Sequence, residues 1–159
     1  MPDYRAVMSD QDFEALIDAA PFATGSARVA YEVPSDADVV VKKSKGAFAA
    51  ANLIEWFVWR SAETQNALQA VLGRCLAISE SGAYLMMERL DDITKDDYAD
   101  VPDVPTWFND PKPNAFGKRN GAIKIRDYGL GRMERLVVPD LTFPPAFAVN
   151  ARTARRFGR

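Results

Sequence analysis

A stretch with neither glycine nor proline, residues 47–70, limits the folds open to this chain. It is rich in Ala, Leu, Glu and Gln, and Ala50, Leu53, Ile54, Phe57, Val58 and Ala62 recur at spacings of three and four. That periodicity predicts a long helix, in one piece or two. Two strand signatures precede it. Val29, Tyr31 and Val33 alternate with Ala30 and Glu32, and Val39-Val40-Val41-Lys42 is a β-branched run. Residues 34–38 between them read as a turn. Antiparallel pairing is the simplest arrangement, with residues 24–26 at one mouth of the sheet. Beyond the helix, residues 72–79 and 83–88 flank Glu80-Ser81-Gly82, which is the pattern of a hairpin. The fold class expected is α+β: a mostly antiparallel sheet of about five strands with one long helix.

Shorter signals complete the outline. Ser9 reads as an N-cap before Phe13, Leu16, Ile17 and Ala20, with Pro21 ending the helix. Thr94, three residues before Asp97, would cap one short turn. Ile123-Lys124-Ile125-Arg126-Asp127 alternates as a short strand does. Residues 139–145 hold three prolines and are expected to run extended. Trp56, Trp59 and Trp107 are expected to pack as core or interface aromatics.

Composition removes several kinds of chemistry. There is no histidine, which excludes Ser-His-Asp and Cys-His nucleophiles and histidine zinc sites. A single cysteine, Cys75, permits no intramolecular disulfide and suits a reducing cytoplasm. Carboxylates, lysines, amides and a bound hard cation remain. A length of 159 residues suits one domain, and 48% hydrophobic content supports a real core. Net charge is −2, so the chain as a whole is no general polyanion binder. Arg152, Arg155, Arg156 and Arg159 are the local exception, and residues 151–159 read as a flexible basic tail or as an arm for nucleic acid or an acidic partner. Residues 1–12 lack the features of a signal peptide, and no apolar run is long enough to span a bilayer, so no membrane is expected.

One region is not explained by packing. Asp110-Pro111-Lys112-Pro113-Asn114-Ala115-Phe116-Gly117 sets an acid, a lysine and an amide beside prolines, and Asp127-Tyr128-Gly129 follows the strand after it. A site handling Mg²⁺ and phosphate needs such groups.

In this order the pieces resemble the superfamily of protein kinases and aminoglycoside phosphotransferases, and are closest to small phage-encoded kinase-like proteins. Thr24-Gly25-Ser26-Ala27 resembles the phosphate-covering loop. Lys42 resembles the lysine that grips nucleotide phosphates, and Glu55, thirteen residues on, the acid that pairs with it. Leu85-Met86-Met87-Glu88 resembles the last small-lobe strand and hinge. Asp110-Pro111-Lys112-Pro113 resembles the catalytic loop, and Asp127-Tyr128-Gly129 the metal-binding triplet. The resemblance implies one kinase-like domain over residues 1–150, with a small lobe at about 22–90 and a truncated second lobe at about 91–150. It implies ATP and Mg²⁺ as ligands. Asp110 and Lys112 would be catalytic; Gly25, Ser26, Lys42, Glu55 and Glu88 would bind nucleotide; Asp127 and Asn114 would hold the metal.

The family's second metal-binding Asn would fall at position 115 when Asp110 is the catalytic acid, and residue 115 is Ala. The other register aligns Asn114 but puts Asn109 in the catalytic place. Two functional readings follow. One is a kinase-like protein, active or a pseudokinase, that binds Mg-nucleotide and, when active, moves the γ-phosphate to a hydroxyl. The other is a non-catalytic interaction module that binds a host protein.

Overall fold

The computed structural model describes residues 4–46, 50–108 and 111–129. The calls on Asp110, on residues 139–145 and on the basic tail lie outside them. The fold is mixed α+β, and among the described strands pairing is mostly antiparallel. The described residues fall into two compact units, one within Met1–Arg60 and Arg74–Arg89, the other within Ser61–Gly73 and Leu90–Arg159. None of the described helices is long and apolar enough to cross a membrane.

The first unit holds β1 (Val7–Met8), α1 (Asp10–Leu16), β2 (Ala23–Thr24), β3 (Arg28–Glu32), β4 (Val39–Ser44), most of α2 (Ala50–Ala62), β5 (Cys75–Ser79) and β6 (Tyr84–Glu88). Its sheet runs β1-β5-β6-β4-β3-β2, six strands rather than about five. The additional edges, β1 and β2, have two residues each, too few to show a periodicity. Ser9 caps α1 through a reciprocal pair of bonds with Asp12, at 3.1 and 3.3 Å. The helix stops at Leu16, short of Ala20. The Asp18 and Phe22 amides donate instead to Glu32 and Ala30 carbonyls on β3, so the sheet takes the backbone groups the helix would have used.

The alternation of β4 separates two faces. Val39 and Val41 are fully buried in a core with Phe13, Val33, Ala77, Tyr84 and Met86, and α1 covers this face. Phe13 stacks on Tyr84 with ring centroids 5.6 Å apart. Lys42 points to the other face, where side chains of α2 meet it.

The face of α2 is not the one its apolar spacing suggests. Ala51, Asn52, Glu55, Val58, Trp59 and Ala62 are buried, while Leu53 is 49% exposed and Phe57 56%. The inward stripe carries two polar residues because their partners lie on the sheet, described below. At Gly82, between β5 and β6, φ is +77°, and a Cβ there would come within 3.1 Å of the Leu53 side chain.

The second unit contains α3 (Asn66–Val71), β7 (Asp91–Asp92), β8 (Phe116–Arg119) and β9 (Ala122–Ile125), the strands ordered β7-β8-β9 in a sheet of their own. The predicted strand beginning at Ile123 therefore belongs to a separate sheet, paired with β8 through Asn120-Gly121. Both turn residues have positive φ, 51° and 78°, the geometry that an Asn-Gly hairpin supplies. Thr94 and Asp97 form the expected capping box, and Lys118 ion-pairs with Asp97 at 2.8 Å. Phe108 meets Phe116 edge-on, and Trp107, Ile125 and Tyr128 are buried.

Candidate functional site

The predicted residues fall in both units, and those of each unit are described by themselves. In the first unit, β4 lies between β3 and β6, with Lys42 opposite Ala30 on one side and Leu85 on the other. A central strand fixes its backbone on both edges, so the lysine stem leaves the sheet from a rigid position. Its ammonium reaches both oxygens of Glu55, at 3.1 and 3.0 Å. The structure thus brings together the two residues that the resemblance pairs.

Two further residues complete this cluster, and the sequence reading missed both. Arg28 on β3 grips the same carboxylate with two parallel bonds, 2.7 and 2.9 Å. Asn52, one helical turn before Glu55, accepts from Arg28 at 3.2 Å. Its amide nitrogen donates to Ser44 Oγ at 3.0 Å and to the Ala83 carbonyl at 2.8 Å, which ties α2 to β4 and to the β5–β6 turn. Period-two spacing puts Arg28 and Ala30 on one face of β3, and Ala30 is opposite Lys42. That signal becomes usable only once the register is known.

Glu55 has no exposed surface. Burial alone pushes its carboxyl pKa up; the charges and hydrogen bonds of Arg28 and Lys42 overcome that and hold it down at about 2. The group is therefore a fixed negative charge under ordinary conditions.

Gly25 and Ser26 occupy the exposed turn between β2 and β3. The Gly25 amide donates to the Arg28 carbonyl at 2.8 Å, and Lys45 Nζ donates to the Gly25 carbonyl. The turn is closed by its own hydrogen bonds. Glu88 ends β6, its carboxylate accepting from the Arg74 amide at 2.8 Å and its own amide donating to the Arg74 carbonyl at 2.9 Å.

In the second unit, Lys112 precedes a single 3-10 turn, Pro113–Ala115, and its carbonyl accepts from the Ala115 amide at 2.9 Å. The Ala115 carbonyl accepts from the amides of Arg126 and Asp127, at 2.8 and 3.3 Å. The Arg126 side chain bonds the Asn114 carbonyl at 3.1 Å, the Leu90 carbonyl at 3.1 Å and Asp92 at 2.7 Å. Asn114 and Asp127 thereby lie on adjoining backbone segments, both exposed. Tyr128 is buried, and its hydroxyl donates to the Gly73 carbonyl at 2.8 Å, anchoring the residue after Asp127.

Among the described residues, no three acidic or cysteine side chains gather as a metal-binding group. Mg²⁺ needs fewer: it keeps several waters and takes one or two carboxylates plus phosphate oxygens. An exposed carboxylate beside an exposed amide-bearing turn fits that requirement.

No family model matches the chain, and no curated protein matches it. Among solved structures, it is similar to APH(2")-IIa in a ternary complex with streptomycin and ATP. The TM-score is 0.38 at 16% identity, over 58% of this chain and 33% of that one, so the chain spans about a third of that protein's length.

Proposed function

We propose that this chain is kinase-like and binds a Mg²⁺-nucleotide. The observation carrying the reading is the ion pair between Lys42, on the central strand of an antiparallel sheet, and fully buried Glu55 on the following helix. A phosphate-binding lysine must be held extended and charged, and a buried carboxylate does both. In this reading Lys42 anchors the nucleotide phosphates and Glu55 positions Lys42. Gly25, Ser26 and Glu88 border the nucleotide. Asp127 and Asn114 hold Mg²⁺, which when bound neutralises charge on the phosphate oxygens. Asp110 orients an acceptor hydroxyl, and Lys112 offsets charge on the moving phosphoryl group.

Thermal unfolding with Mg·ATP tests the binding. A ligand at about a hundred times its Kd adds about 2.7 kcal/mol to stability, a rise of several degrees in Tm. Asp127→Ala should remove that rise, and no rise in the wild type at millimolar Mg·ATP would end the reading. Transfer is a separate measurement: label moving from the γ-phosphate of ATP should vanish in Asp110→Ala, and persistence there would remove Asp110 from its role. A second reading, a non-catalytic module that binds another protein, draws on the exposure of Leu53 and Phe57 on α2. It gains if Mg·ATP produces no shift.

A further inference from the structure

Glu55 accepts from two cations, and they are not equivalent. Arg28 presents a planar fork whose two N–H groups match the two carboxylate oxygens, at 2.7 and 2.9 Å. Lys42 brings a point charge on a flexible stem, at 3.0 and 3.1 Å. Arg28 is also held from its own side: Asn52 accepts from Nη1, and Asn52 is bonded in turn to Ser44 and Ala83. The guanidinium is thus part of a frame joining β3, β4, α2 and the β5–β6 turn.

We infer that Arg28 is a positioning residue, the fixed partner that keeps Glu55 paired and α2 seated, and that it leaves Lys42 exchangeable toward an anionic ligand. Taking one partner from a buried carboxylate is very costly when that partner stands alone. With Arg28 in place, both Glu55 oxygens stay bonded when the lysine turns to a phosphate. The identity of the ligand rests on the nucleotide reading above. The ranking of Arg28 over Lys42 at Glu55 rests on geometry alone.

The experiment uses the full chain and three variants, Lys42→Met, Arg28→Met and Arg28→Lys, with thermal unfolding, Mg·ATP titration and NMR of the arginine and lysine side-chain nitrogens. Lys42→Met should stay within about 2 °C of wild type and weaken Mg·ATP binding at least about tenfold. Arg28→Met should lower Tm by more, or fail to fold. Arg28→Lys keeps the charge but not the fork, and should recover less than half of the loss. On saturation with Mg·ATP the Lys42 Nζ resonance should move and the Arg28 Nε resonance should not. Equal destabilisation by Lys42→Met and Arg28→Met, full rescue by Arg28→Lys, or an Arg28 resonance that moves as Lys42's does would each overturn the assignment. If the wild type does not bind Mg·ATP, the nucleotide reading falls, and the order of Tm values still decides whether Arg28 is the fixed partner.

Discussion

At the scale of single residues, the first unit is organised by a carboxylate with no access to water. An ionised side chain is buried only when its partners return what hydration supplied. Glu55 has two cations at hydrogen-bonding distance, and the buried stripe of α2 carries it and Asn52 among apolar residues while Leu53 and Phe57 stay exposed. Glu55→Gln would leave Arg28 and Lys42 without their shared charge, and a loss of about 3–5 kcal/mol is expected in urea unfolding. A loss below about 1 kcal/mol would mean that the cluster behaves as a surface pair. Glu55 is legible in the sequence through its place on the predicted helix, thirteen residues after Lys42. Arg28 is not, because its value lies in a register that no local pattern encodes.

At the scale of elements, the loop and hairpin carrying Asp127 are built on close backbone approach. Gly117 on β8 pairs with Asp92 on β7. A Cβ at Gly117 would sit 2.5 Å from Leu90 Cβ and 3.0 Å from the Asp91 carbonyl oxygen. Neither contact is the far end of a flexible chain, so β7 would have to move. Gly117→Ala should cost about 1–3 kcal/mol, and amide exchange should rise first in residues 91–92 and 116–119. An unchanged exchange pattern would show that β7 yields without strain. The glycine was visible in the motif, but its reason is a neighbouring strand too short to read from sequence. The Asn120-Gly121 turn, by contrast, is a local signal that predicts the β8–β9 hairpin directly.

At the scale of the whole molecule, three acids among the described residues are held below their ordinary range. Glu55 is at about 2, its burial outweighed by Arg28 and Lys42. Asp10 is lowered by its bond to Ser81, and Asp97 by its bonds to Lys118 and the Thr94 amide. An acid with a lowered folded pKa binds fewer protons folded than unfolded, so stability falls as pH falls. The Glu55 contribution is complete above its ordinary value of 4.5 and is lost as pH approaches about 2. Unfolding free energy measured from pH 6 to pH 2 should therefore decline most steeply below about 4.5, and Glu55→Gln should flatten the decline. A variant with the same slope as wild type would show that Glu55 does not carry it. What the sequence by itself determined was local: the Ser9 and Thr94 caps, the antiparallel strand pairs β3–β4 and β5–β6, and the α+β class. Each follows from interactions spanning a few residues, which periodicity and turn chemistry record. Only the tertiary structure decided where the 47–70 helix divides and which face of α2 turns inward, that the strand holding Ile123 lies in a second sheet, and that Arg28 shares Glu55 with Lys42. Those depend on strand register and on the cost of burying a charge, and both are settled by residues distant in the chain.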